Sequence, residues 1–299
     1  MKLRHLAIPA ALSALGLREV YRYSFCAGSS KLIKKLDKKT HKARFYIRKS
    51  QAMEELSARK CIRHTIRSER GEELAGFYYP CGDRPSGKIA FIIHGYRSDH
   101  ADTGCMLMEH WFSRGFDIFA CDHTAAGQSG GKYVGFGHFE SRDCLRWLDF
   151  LIGEYGSDVK IVLHGFSMGG ATVMIMSDQL PENVKFIIED SGYSSAGWLV
   201  RSKLGWFYQP VRLLNRILAG YDVDAVDVRP HLRRARIPIL FAHGSGDVTV
   251  PYDMGIALHA FYEGEKDCLF LPGVAHIEPV FTNPVEYGEK TDKFIRKYF

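Results

Sequence analysis

The chain has 299 residues, 46% hydrophobic and 25% charged, with seven cysteines and a formal net charge of +6 at pH 7. That profile belongs to globular chains large enough to bury a full core without disulfides or a structural metal. The cysteines are odd in number and none pairs as C-x-x-C, which argues against a secreted disulfide framework and a CxxC metal or redox motif, so reduced thiols in a cytoplasmic setting are expected.

Charge divides the chain. Residues 1–60 hold 15 Lys/Arg against four Asp/Glu, a balance of +11, whereas residues 61–299 balance to −5. We therefore expect a basic N-terminal helical extension (1–60) joined to a mildly acidic body (61–299). The extension opens on a basic start and an apolar stretch from Leu6 to Leu17, too short for a membrane-spanning helix. Arg18-Glu19-Val20-Tyr21-Arg22 follows, where a cleaved signal would show small residues. Over residues 31–49, Leu32, Leu36, Ala43 and Ile47 recur at near-helical spacing among lysines, the pattern of a basic amphipathic helix. Two readings stand for it. It is a solvated helix packed on the body, or residues 1–49 make a peripheral contact with anionic lipid headgroups at the inner face of the membrane. Nucleic acid is not an expected partner, because no binding module accompanies the charge.

In the body, Cys61–Arg67 and Leu74–Tyr79 flank Gly71 and read as a hairpin. Short apolar runs then alternate with helical stretches. Strands are expected at Lys88–Ile93, Phe116–Cys121, Val159–Leu163, Val184–Glu189, Ile237–Ala242 and Cys268–Leu271. Helices are expected near 102–114, 138–155, 168–180, 252–262 and 284–298. Such alternation implies parallel pairing through helical crossovers, and the nearly all-apolar strands imply cover on both faces. Residues 192–235 break the rhythm. This aromatic-rich interval is either a cap over a site or a pair of ordinary packing helices.

Gly165-Phe166-Ser167-Met168-Gly169 lies between a strand and a helix. A serine at such a junction sits on a strained turn with its hydroxyl exposed, and the flanking glycines remove side chains where backbones cross. A serine hydroxyl needs a base held by a third group. In this arrangement the partners follow in the order serine, acid, histidine. Asp247 lies beyond one strand end in His243-Gly244-Ser245-Gly246-Asp247-Val248-Thr249-Val250-Pro251, and His276 lies on the loop after the next strand. Asp190 is the rival acid, and the G-x-x-D-x-x-V-P context favours Asp247. Two backbone N–H groups, of Met168 and of Tyr96 in the His94-Gly95-Tyr96 turn, are the expected oxyanion donors. His94 reads as shaping that turn, and His164, His243 and His259 as turn or surface residues. His138 and Asp122 lie near the site edge and are assigned no part.

Together these motifs, with Asp122-His123-Thr124-Ala125-Ala126-Gly127-Gln128-Ser129, resemble the α/β-hydrolase superfamily over roughly residues 60–299. Ala126 departs from a stretch in which a residue such as His is common. The resemblance implies an α/β-hydrolase fold: an eight-stranded mostly parallel sheet with helices on both faces and a short helical cap insertion at 192–235. It also implies a covalent acyl-enzyme, no cofactor and no metal. The expected activity is hydrolysis of a small-molecule carboxylic ester by Ser167, Asp247 and His276. A thioesterase, acyltransferase or serine peptidase would use the same residues. A membrane-surface binding protein on a hydrolase scaffold is the reading of a different class.

Overall fold

Five of the apolar runs are buried almost end to end, which fixes them as strands with helices on both sides. The computed structural model describes residues 16–27 and 43–299. Leu6 to Leu15 of the apolar stretch, and residues 31–42 of the expected basic helix, lie outside the described residues. Eight strands form one sheet: β1 (Ile62–Arg67), β2 (Glu73–Tyr79), β3 (Lys88–Ile93), β4 (Asp117–Cys121), β5 (Lys160–Phe166), β6 (Val184–Asp190), β7 (Ile239–Gly244) and β8 (Lys266–Leu271). Their order is β1-β2-β4-β3-β5-β6-β7-β8. The hairpin β1–β2 is antiparallel, and β2 runs antiparallel to β4; all other pairs are parallel. The chain reverses its winding at β3, between β4 and β5, so a crevice opens at the carboxyl ends of β3 and β5.

One face of the sheet packs on the helices His138–Tyr155 and Met168–Met176 through Trp147, Leu148, Leu151 and Met174. The other packs on His100–Phe112 and Pro284–Tyr298 through Leu107, Trp111 and Phe294. The sequence reading placed the end of β5 at Leu163 and continued the next helix to residue 180. In the structure β5 runs on to Phe166, and the helix stops at Met176. His164-Gly165-Phe166 continue the ladder with β6, so the serine turn begins directly at the strand end.

The described parts of residues 1–60 pack into the same cores. Residues 16–25 are helical, and Tyr21 and Phe25 are buried against Phe136. The Phe25 and Phe136 rings meet edge to face at 5.2 Å. Cys26 pairs with Tyr133 as an isolated antiparallel bridge, and Val134 N–H donates to Phe25 O at 2.9 Å. On the opposite face, Leu56 of the helix Ala43–Ser57 is buried and Lys49 pairs with Asp102 at 2.8 Å.

The 192–235 interval folds as three helices, Ala196–Leu204, Tyr208–Leu218 and Arg229–Arg234, with two 3-10 turns. Tyr193 Oη donates to Phe136 O and Tyr221 Oη to Val134 O, which ties its base to the loop that receives Phe25. Its aromatics divide: Tyr208 is buried, whereas Trp206 is 83% exposed. Among the described residues no helix is long and apolar enough to cross a membrane.

Because Phe25 fills a closed site between Tyr21 and Phe136, Phe25→Ala should lower global stability by about 3 kcal/mol. A urea midpoint equal to that of the wild type would show that residues 16–25 are not part of the cooperative unit.

Candidate active site

The serine turn is built by close backbone contact. A β-carbon on Gly165 would lie 2.3 Å from Gly169 O, and one on Gly169 would lie 2.0 Å from Ile93 O. Neither position tolerates a side chain without moving a strand. Ser167 itself sits at φ 54°, ψ −112°, a conformation L-residues rarely adopt. The turn persists because its two ends are held. Ser167 N–H donates to Asp190 O at 2.8 Å, and Ala171 N–H returns to Ser167 O at 3.0 Å.

The turn after β3 approaches from the other side. A β-carbon on Gly95 would stand 3.3 Å from Phe166 O and 3.4 Å from Ser167 Cβ. His94 is buried, its Nδ1 bonded to Gly95 O at 2.7 Å and its Nε2 accepting from His123 N–H at 3.0 Å. His123 Nε2 returns to His94 O at 3.1 Å. His94 therefore shapes the turn, pinning it to the exit of β4. Among the described residues neither Tyr96 N–H nor Met168 N–H enters a hydrogen bond, so both donors remain available beside the serine.

Asp247 and His276 come together from the ends of β7 and β8. His276 Nδ1 lies 2.6 Å from Asp247 Oδ2. Asp247 Oδ1 accepts from Thr249 N–H at 2.8 Å and Val250 N–H at 2.9 Å. Burial alone would raise this carboxyl. The hydrogen bonds from His243, His276 and the Val250 amide, with the His276 charge, more than offset it and hold the group well below the usual carboxylate range. Ser191 links this pair to the serine turn: its N–H donates to Ala242 O, and its Oγ accepts from Ile277 N–H at 3.3 Å. Among the described residues no hydrogen bond joins Ser167 Oγ to His276, a looseness common before substrate tightens such a site. The rival Asp190 is bonded to Ser191 Oγ at 2.8 Å and Tyr287 Oη at 3.2 Å, and does not reach His276.

His243 and His164 depart from the sequence reading, being fully buried rather than at the surface. His243 Nε2 lies 3.2 Å from both Asp247 Oδ2 and Val250 O, so Asp247 is gripped by two imidazoles. The four-residue spacing from His243 to Asp247 was the available signal. A strand end followed by a tight turn brings such a pair face to face. His164 bridges Trp111 Nε1 and Tyr287 Oη, and burial drops its pKa to about 3, which keeps it neutral. Asp122 accepts from His100 and Gln128 and braces its own loop, and His138 stacks on Tyr221. Three buried side chains, Cys121, His123 and Cys144, bring potential metal-donor atoms within 4.8 Å of one another. Burial, then the neighbouring Cys121, push the Cys144 thiol well above its ordinary value, toward the protonated form.

Comparison with known proteins follows the same lines. The family model described as serine aminopeptidase, S33, matches residues 84–221, from just before β3 into the 192–235 interval. The solved esterase Pf2001 of Pyrococcus furiosus superposes with a TM-score of 0.65 at 21% identity, covering 82% of this chain and 95% of that one. The chain has the α/β-hydrolase fold. Among curated relatives, the uncharacterised YqkD of Bacillus subtilis is 22% identical over 239 residues, 77% of each chain. Mouse monoglyceride lipase is 28% identical over 178 residues, 53% of this chain and 57% of its own.

Glu189, beside this site, has one oxygen accepting from Gly192 N–H and the other, Oε2, buried without a partner among the described residues. Burial raises it to about 7, against the pull of His243. Between about pH 4.5, its ordinary value, and 7 the folded state holds a proton that the unfolded state has lost, so this group's stabilisation falls as pH rises through that window. Glu189→Gln should therefore raise the urea midpoint more at pH 8 than at pH 5. An equal gain at both would mean the carboxyl titrates normally.

Proposed function

We propose that this protein is a serine hydrolase that cleaves carboxylic esters through an acyl-enzyme on Ser167. The observation that carries the reading is the 2.6 Å Asp247–His276 pair at the same sheet edge as a serine held at positive φ. With Nδ1–H committed to Asp247, His276 presents Nε2 as the base, which takes the Ser167 proton as Oγ attacks the carbonyl carbon. The N–H groups of Tyr96 and Met168 stabilise the tetrahedral oxyanion. His276 then gives its proton to the leaving alcohol. In the second half it takes a proton from water, whose oxygen attacks the acyl carbon and frees the acid and Ser167. Asp247, held ionised, orients the ring and stabilises its cationic form without accepting the proton.

The name of the Pyrococcus furiosus neighbour, an esterase, supports ester cleavage, and that of the mouse relative, a lipase, points the same way. The serine aminopeptidase description favours amide cleavage by the same residues as the second reading. Seven free cysteines suit a reducing cytoplasm, and the +11 balance of residues 1–60 suits contact with an anionic membrane face.

A fluorophosphonate probe should label Ser167 in the wild type and leave His276→Ala unlabelled, as mapped by mass spectrometry. Absence of label on folded wild-type protein would overturn the reading in favour of a membrane-surface binding protein. On a short-chain ester, Asp247→Asn should lose roughly 10³- to 10⁴-fold in kcat, because the imidazole then takes the wrong tautomer. An Asp247→Asn rate within a few-fold of the wild type would remove Asp247 from the mechanism. A matched amide panel separates peptidase from esterase.

A further inference from the structure

Arg97 immediately follows the oxyanion turn and lies at φ 59°. Its guanidinium is set between two tyrosine rings, with Cζ 4.4 Å from the Tyr23 centroid and 4.9 Å from that of Tyr96. Both terminal nitrogens, Nη1 and Nη2, are buried and have no hydrogen-bond partner among the described residues. Tyr96 Oη sends its proton to the carbonyls of Ser24 and Tyr23, and its lone pair faces the Arg97 side chain at a geometry too poor to partner Nη1 or Nη2. Ring faces compensate the positive charge of a guanidinium; they do not satisfy the N–H groups that radiate in its plane. Leaving charged donors buried and unmade is costly, so a fork in this state is built for a planar oxyanion that takes two bonds at once.

The surroundings agree. Arg97 lines a cavity of about 310 Å³ that also touches Met168, the residue after the serine, and His94 and Cys26. The cavity therefore reaches from Arg97 to the residue that follows the serine. Around the Cys26 thiol the charged groups that act are Lys132, Arg22 and Arg97, all cationic. Among the described residues the one carboxylate on the cavity wall, Asp99, is turned to the helix it caps, its Oδ1 accepting from Asp102 N–H at 2.8 Å.

Resting on the serine hydrolase reading above, we infer that the substrate is an ester bearing an oxyanion group, a carboxylate or a phosphate, which Arg97 receives in a bidentate pair while the scissile carbonyl lies at Ser167. The site thereby selects anionic esters over neutral ones of equal length. Residues 16–27 are part of this selectivity, since Tyr23 stacks on the guanidinium and Cys26 lines the cavity.

The test is the ratio of kcat/KM for monoethyl glutarate to that for ethyl pentanoate, whose acyl chains match, with the phosphonate analogue of the former as a third substrate. The full-length wild type should prefer at least one anionic ester by roughly tenfold or more. The better of the two tells carboxylate from phosphate. Arg97→Met should bring the ratio near one, and Arg97→Lys should leave it between, because an ammonium keeps the charge without the fork. Taking the ratio within each variant cancels any general loss of folded enzyme. Equal use of neutral and anionic esters by an enzyme labelled at Ser167 overturns the inference and leaves the serine hydrolase reading standing. So does a preference that survives in Arg97→Met. If no ester is cleaved and Ser167 is not labelled, the serine hydrolase reading fails. Titration calorimetry of glutarate and of inorganic phosphate then decides alone: binding lost in Arg97→Met keeps the anion site, and no binding to the wild type removes it.

Discussion

Three backbones meet at the serine turn, and everything else at the carboxyl edge of the sheet takes its position from that contact. Gly169 lies on the carbonyl of Ile93 and Gly165 on the carbonyl of Gly169, so β3, β5 and the helix Met168–Met176 approach as closely as bare backbone permits. That approach forces Ser167 to positive φ, lifting its side chain off the sheet. It also presses the turn after β3 against the serine. A methyl group at either glycine would separate these parts together. Placing the serine and placing the turn after β3 beside it are thus one packing event.

The second half of the site rests on charge. Asp247 sits out of solvent and stays ionised only because two imidazoles and two backbone amides surround it. Glu189 and Asp190, one strand away, lack such a set, and burial raises both to about 7. The contrast is instructive. Three carboxyls share one buried edge, and the count of donors decides which is an anion. His243 helps make Asp247 that anion, and so supports the Asp247–His276 pair from behind.

Much of this was legible in the chain. Apolar runs of five to seven residues between helical stretches fixed the parallel sheet, and Gly-x-Ser-x-Gly at a strand end fixed the turn. The positions of Asp247 and His276 followed from strand order, since parallel strands send their exits to one edge. What could not be read depends on tertiary contact. His243 looks like a turn residue until β7 and its loop fold back on it. Arg97 is one arginine among many until the rings of Tyr23 and Tyr96 close over it, and Tyr23 is separated from it by more than seventy residues. The charge balance of residues 1–60 suggested a separate extension, yet Tyr21, Phe25 and Leu56 lie in the cores. Net charge describes surface, and these apolar residues are too few to alter it.

The docking of residues 16–27 has a bearing on the order in which the molecule can assemble. Their partners are the turn at Tyr96 and the loop at Lys132–Phe136, far downstream. During synthesis this segment leaves the ribosome before β3 and β4, but its seat exists only after those strands and the loop beyond them are in place. Tyr21 and Phe25 therefore wait exposed while the sheet is built, and long-range contacts of this kind are slow to close. A segment made before its seat is thus among the last to reach its place.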